Sequence, residues 1–358
     1  MHFAPSDEQR AMQAAVREVL HRGCAPATMR AVWSGDAQAW TRVWESVVAA
    51  GLCTALIGEE RGGLGLDDVD AALLFEEAGA VALPGPALES GAAAALLAEA
   101  AEHGEVAASW LSRVVNDGAA LALYGGPAEF AVEVDRCAAA VRLDGDAVRV
   151  AATTDLNVRE LGSLDAGRRL FSVEWPSAAG EVVLSGDDAV AACARAVDRA
   201  ATLCAAQAVG AAATMLAMSV AYAGQREQFG RPIGSFQAVK HRLAQAHVLV
   251  EVARPVVHRA AWAVAHDEPD RALRVSMARL HSARAARSAA EAALLTHGAI
   301  GYTWDCDLHI WLKRATALAA AWGGEEFHLL RVRDGLRRHG IPGIVAQPHA
   351  TAEVVTAG

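Results

Sequence analysis

Residues 225–244 read QREQFGRPIGSFQAVKHRLA and gather Arg226, Arg231, Lys240, His241 and Arg242 in a chain otherwise crowded with alanine. Arg226 offers a planar, bidentate fork to a phosphate. Gly230 and Gly234 allow a ligand close to the backbone, and Phe229 and Phe236 could flank a ring system. Composition alone fits a plainer reading as well, a cationic connection between two helices, and both readings stand at this point. A second glycine-bearing element, THGAIGYTWD at residues 296–305, also joins two helical runs, so one ligand could touch both.

Other tempting strings carry less. In ERGGLGLDD a dinucleotide fingerprint starting at Gly63 would need glycine where Asp68 stands, and that carboxylate would repel a pyrophosphate. A loop entering the next helix is the better reading. Asp305, Cys306, Asp307 and His309 have metal-compatible atoms, but one carboxylate–imidazole pair is an incomplete ligand set, so no metal is expected. Neither G-x-S-x-G nor H-E-x-x-H occurs.

Those residues need elements to position them. The chain has 358 residues, 53% hydrophobic and 21% charged, so it can bury a large core across two or three domains. A net charge of -10 argues against non-specific nucleic-acid binding while leaving room for a local basic patch. No stretch reads as a signal peptide or a membrane span. The six cysteines lack C-x-x-C spacing, and a reduced cytoplasm is expected.

Residues 1–115 read as helical. Ser6 ahead of DEQR predicts a capped start, Trp40, Val43, Trp44, Val47 and Val48 share a face that ends at Gly51, and Asp67 caps a helix with Gly79 near its end. Residues 116–183 change period. Val141 and Leu143 precede, and Val148 and Val150 follow, an Asp144-Gly145 turn that predicts a hairpin. Phe171, Val173 and Trp175 alternate onto one face. Residues 184–345 return to helix, with four amphipathic runs that describe a bundle, the last from Ile310 to Leu336. Residues 346–358 read as a loose tail. The fold class is mainly α with a small β domain.

The two opening elements together resemble the acyl-CoA dehydrogenase family. Its R-x-x-F-G-x-x-[IL]-x-x-F-Q signature is matched at Arg226, Phe229, Gly230, Ile233, Phe236 and Gln237. HGAIGYTWDCDLHIWLKRA is similar to its His-Gly-Gly segment, and GEERGGLGL and LFEEAGAVALPGP to its first domain. The resemblance implies an N-terminal helical domain, a middle β domain and a C-terminal four-helix bundle. It also implies an FAD cofactor and removal of two hydrogens from Cα and Cβ of an acyl-CoA. By match, Arg226, Phe229, Gln237, His297, Gly298 and Gly301 would hold FAD, mainly the flavin of a neighbouring subunit.

The departures are equally specific. The family's catalytic base is a glutamate at one of two places, and here those places hold Ala200 and Trp322 or Gly323. Asp198, Glu325 and Glu326 lie near but off position. Leu295 and Ala299 replace the loop's glutamine and second glycine, and the middle domain lacks the flavin-ring strings T-E-P…G-S-D and W-I-[ST]-[NG]. Such a chain resembles the shortened subunit of two-component steroid-CoA dehydrogenases, which implies an α2β2 assembly with a full-length homologue. The catalytic residue is left unassigned: this chain either takes part in catalysis or only completes its partner's flavin site.

Overall fold

A computed structural model describes residues 4–340, which run from helices through strands to helices again. The Ser6 hydroxyl accepts from the Gln9 N–H at 3.1 Å, and the Gln9 side chain accepts from the Ser6 N–H at 2.9 Å, which starts α1 (Asp7–Gly23). Helices α2 (Pro26–Trp33) and α3 (Ala37–Ala49) follow, and α3 stops where Gly51 turns left-handed at φ +68°. The GGLGL stretch is a loop delivering the chain to α4 (Asp68–Ala80), which Asp67 caps. Gly79 is the penultimate residue of α4, near its end as expected, and a Cβ there would lie 2.0 Å from the Gln207 carbonyl oxygen. Gly210 mirrors it against Glu76 at 1.9 Å, so α4 crosses α7 (Gly186–Gln225) backbone to backbone. The alanine-rich composition serves the same close packing.

Helices α5 (Ala87–Ala100) and α6 (Glu105–Asp117) complete the first layer, α5 being buried almost all round. Two small sheets come next. One orders β1 (Leu121–Gly125), β3 (Ala139–Leu143), β4 (Ala147–Ala152) and β7 (Glu181–Ser185); the other orders β2 (Ala131–Val132), β6 (Leu170–Glu174) and β5 (Asn157–Leu161). The Asp144-Gly145 turn joins β3 to β4 in an antiparallel pair, as its sequence predicts. Phe171, Val173 and Trp175 point into a satellite core with Ala131 and Tyr124.

Helix α7 is long and apolar enough to span a membrane by composition, yet 72% of that apolar window is buried inside the protein. It is the core helix of the bundle, covered by α4, α8 (Gln237–Ala265) and α9 (Arg271–His297). The expected fourth run is broken in two, α10 (Leu308–Ala320) and α11 (Glu325–His339). Between them Trp322 (φ +52°) and Gly323 (φ +98°) are both left-handed, and two such residues in succession end a helix. Hydropathy carried through the break because buried Trp322 continues the apolar pattern. The tail at 346–358 lies outside the described residues.

Candidate functional site

Helices α7 and α9 end, and α8 and α10 begin, at one end of the antiparallel bundle, which brings both glycine-bearing elements there. Between α7 and α8 a two-stranded hairpin, β8 (Glu227–Gln228) and β9 (Arg231–Pro232), turns through Phe229 (φ +53°) and Gly230 (φ +76°). Two consecutive positive φ values make the tight primed turn that suits a hairpin's twist. They also lift Phe229 to the tip, 92% exposed, with Phe236 edge-on at 6.1 Å and the Arg231 guanidinium 4.2 Å over the Phe236 ring. Arg226 caps α7, and its carbonyl accepts from the Ile233 N–H at 2.7 Å, closing the hairpin's base. Gln237 opens α8 and is exposed.

The second element is tied to the first by a stack. The His297 ring lies on Tyr222 at 4.4 Å, four residues before Arg226, and its Nδ1–H donates to the Ala293 carbonyl at 2.9 Å. His297 is therefore buried, a support for the loop, and Gly298 presents backbone at the surface. Gly298 has φ +66° and ψ -141°, a conformation essentially restricted to glycine. Among the described residues no carboxylate pairs with Arg226, Arg231, Lys240 or Arg242. Elsewhere in this acid-rich chain most arginines have a partner. Unpaired cations beside an exposed aromatic and open glycine backbone suit a phosphate-bearing ring ligand.

A second constellation, unforeseen from the sequence, lies where the three layers meet. The loop 162–169 between β5 and β6 is clamped on both sides by buried ion pairs. Arg168 donates to Glu89 of α5 at 2.7 Å, and Asp165 pairs with Arg314 of α10, which also donates to the Leu83 carbonyl. Beside the clamp is a cavity of about 470 Å³, lined by apolar groups such as Leu123, Val132, Leu170 and Ala320, with Glu89 and Arg168 at its inner end. Exposed Glu129 and Phe130 stand at its mouth. Trp322 also lines it, and its Nε1–H donates to Glu89 at 3.2 Å.

Trp322 is held from behind. The His328 Nε2–H donates to the Trp322 carbonyl at 3.1 Å, and its Nδ1 faces the Ser276 hydroxyl at 3.2 Å. Burial first, then the charges of Arg279 and Arg331, push the His328 pKa down to about 3, so the ring is neutral at ordinary pH. Arg279 itself donates to the Leu318 and Ala321 carbonyls, placing a cation at the C-terminal end of α10.

Comparisons with known proteins show the family of the chain. The model "Acyl-CoA dehydrogenase, N-terminal domain" matches residues 6–117, and "Acyl-CoA dehydrogenase, C-terminal domain" matches residues 190–336. The acyl-CoA dehydrogenase IpdE2 of Mycobacterium tuberculosis is 32% identical over 317 residues, 87% of this chain and 92% of its own length. The chain belongs to the acyl-CoA dehydrogenase family. Solved structures share the fold: the ChsE4-ChsE5 complex from Mycobacterium tuberculosis has a TM-score of 0.79 at 24% identity, covering 94% of this chain and 99% of the matched one. A variant of the Tcur3481-Tcur3483 steroid ACAD has a TM-score of 0.80 at 21% identity, covering 93% and 98%.

With the family come the oxidoreductase class and FAD as cofactor, and the cationic hairpin has the donors and the open backbone that a diphosphate needs. The two places that the sequence match gives to the family's glutamate can also be found in the structure. Ala200 is fully buried in α7, and buried Trp322 lines the cavity. Asp198 is committed to Arg271 at 2.8 Å and Arg331 at 2.5 Å, fastening the start of α9 and α11. Glu325 is exposed and pairs, among the described residues, with Arg287, while Glu326 is exposed on α11. Asp307 pairs with Arg30, His309 packs on Trp33 and Trp304, and the described residues contain no group of three or more metal-compatible side chains. Sequence reasoning missed Glu89, Asp165, Arg168 and Arg314. The available signal was four charged residues in otherwise apolar or turn-forming surroundings, which does not show that they meet.

The two regions are far apart on one chain. Cys204 Sγ is 3.4 Å from the Leu318 carbonyl, which sets the cavity level with Cys204, and Arg226 lies about 33 Å further along α7 at 1.5 Å rise per residue.

Proposed function

We propose that this chain is a subunit of an FAD-dependent acyl-CoA dehydrogenase that oxidises the Cα–Cβ bond of an acyl-CoA thioester, and that it works in an α2β2 assembly with a full-length homologue. The observation that carries this reading is the separation of the unpaired hairpin cations from the chain's own cavity. Arg226 and Gln237 would hold the diphosphate side of a flavin seated mainly on the neighbour, with Phe229 against its ring systems and the Gly298–Gly301 backbone, propped by His297, closing over it. The bound flavin supplies a hydride acceptor for Cβ. The α-proton needs a carboxylate within about 3 Å, a contribution typically worth roughly 10²–10⁴-fold. Ala200 and Trp322 offer none, so the base comes from the homologue. A ring-containing, steroid-derived acyl group is supported by the steroid ACAD neighbour, and we place the assembly in the cytoplasm.

The test is dye reduction by the purified assembly with an acyl-CoA substrate. Asp198→Asn, Glu325→Gln and Glu326→Gln, each in folded complex, keep turnover within a few-fold of wild type, whereas removal of the homologue's base abolishes it. A thousandfold fall in turnover number in any of the three, or in Glu89→Gln, would put the base in this chain. Such a result supports the alternative that the chain has a catalytic centre of its own.

A further inference from the structure

Of residues 298–305, the segment with the Gly298–Gly301 backbone, only Gly301 is buried. A segment with so little apolar burial opens readily unless side chains at its ends hold it. At its start the His297–Tyr222 stack does so. At its far end Trp304 folds back onto α10, edge-on to the His309 ring at 4.5 Å and with the Lys313 ammonium 4.2 Å over the indole. Lys313 stands one helical turn beyond His309, so both reach the same side chain. Trp33 of α2 closes the group from the other side. It meets Trp304 edge-on at 6.4 Å, and the same ammonium lies 4.9 Å over its ring. Arg30, one turn before Trp33, pairs with Asp307. His309 is buried, and neither ring nitrogen has a hydrogen-bond partner among the described residues. Burial first, then Lys313, holds its pKa below the usual value, so the ring serves as a neutral flat surface. Helix α10 beneath the group is fixed separately, by Trp311 donating to the Ala80 carbonyl at 2.9 Å and by Arg314. What the group can hold or release is therefore Trp304 and the segment before it.

We propose that Lys313, clasped between Trp33 and Trp304, is a positioning residue that pins the far end of the 298–305 segment, so that the Gly298–Gly301 backbone is already shaped when the flavin arrives. No carboxylate pairs with Lys313 among the described residues, so its charge is directed at the two indoles. An ammonium attracts both ring systems at once, while its aliphatic stem packs against them. The Arg30–Asp307 pair fastens the same end of the segment to the N-terminal helices. Ordering the segment in advance lowers the entropy lost when a ligand binds to it. The inference deepens the dehydrogenase reading and rests on it for what the segment binds, not for the clasp itself.

The experiment joins amide hydrogen exchange of the full chain with FAD titration of its assembly with the full-length homologue. Lys313→Met keeps an apolar stem and removes the charge. In it the amides of residues 298–303 exchange roughly five- to thirtyfold faster, the scale of two exposed cation–π contacts, while those of α7 and α9 keep wild-type protection. FAD affinity of the assembly falls by a similar factor, and Lys313→Arg restores both. Trp33→Leu, far from the segment in sequence, speeds the same amides. Unchanged exchange at 298–303 in Lys313→Met, faster exchange spread evenly over the chain, or FAD affinity within twofold of wild type despite local speeding would each overturn the clasp. So would failure of Lys313→Arg to restore the two readouts. Arg226→Ala is titrated alongside. Loss of FAD affinity in Arg226→Ala alone sinks the clasp, whereas loss in Lys313→Met alone sinks the hairpin's role and leaves the clasp standing.

Discussion

Arginine behaves in opposite ways in the two regions. At the junction of the three layers Arg168 and Arg314 are buried and each has its carboxylate, Glu89 and Asp165. At the bundle end Arg226, Arg231 and Arg242 lie in and just after the hairpin, and none is ion-paired with a carboxylate of the described residues, the hairpin's own exposed Glu227 included. The chain does not lack acids, with 42 Asp and Glu against 32 Lys and Arg, so the unpaired cluster is a local exception to its overall balance. Paired cations hold layers together and are spent on architecture. Unpaired ones remain available to an anion that arrives from outside. The difference separates what builds the molecule from what it offers a ligand.

The largest effect that can break this comparison is at the clamp. Arg314→Ala leaves Asp165 in a fully buried site without its countercharge, and denaturant unfolding should show a loss of about 3–5 kcal/mol. Arg226→Ala should leave unfolding within roughly 0.5 kcal/mol of wild type, as befits a surface position. In the assembly, however, flavin titration should show a loss of roughly 1.5–3 kcal/mol, about ten- to hundredfold in affinity. An affinity within twofold of wild type would show that Arg226 is not a phosphate ligand. Swapped outcomes, with Arg226→Ala unfolding the chain and Arg314→Ala harmless, would erase the distinction.

A smaller effect sharpens it through pH. His328 is neutral in the fold, with its pKa pushed from the usual value of about 6.5 down to about 3, so the unfolded chain binds its proton first as pH falls. Its contribution is complete above pH ~6.5 and is lost progressively toward pH ~3. Between pH 6.5 and 5 that amounts to roughly 1–2 kcal/mol, and His328→Gln should flatten that part of the stability curve. An acid limb unchanged in the variant would mean that the ring does not carry this linkage.

The two regions also differed in how far they could be read beforehand. The cationic segment stood out because Arg226, Phe229, Gly230 and Gln237 are neighbours in sequence and their spacing carries the signature, although its hairpin shape was not foreseen. Alternation and an Asp-Gly turn likewise announced the β3–β4 pair. The clamp was not legible, because Glu89, Arg168 and Arg314 come from three layers that only the fold brings together. Helix α5 hid Glu89 further: buried on nearly every side, it has no amphipathic stripe to show which way that side chain points. The break at Trp322 escaped for a related reason, since hydropathy reports burial and not φ.

The most direct test is the flavin content of the protein purified alone and with its full-length homologue, read from the visible absorption spectrum. If the hairpin serves a neighbour's flavin, the isolated chain is colourless or nearly so and the assembly is yellow, with loss of flavin in the assembly when Arg226 is replaced. A stoichiometric flavin spectrum from the isolated chain would contradict the account, because one chain would then be holding at its own sites what the structure sets about 33 Å apart.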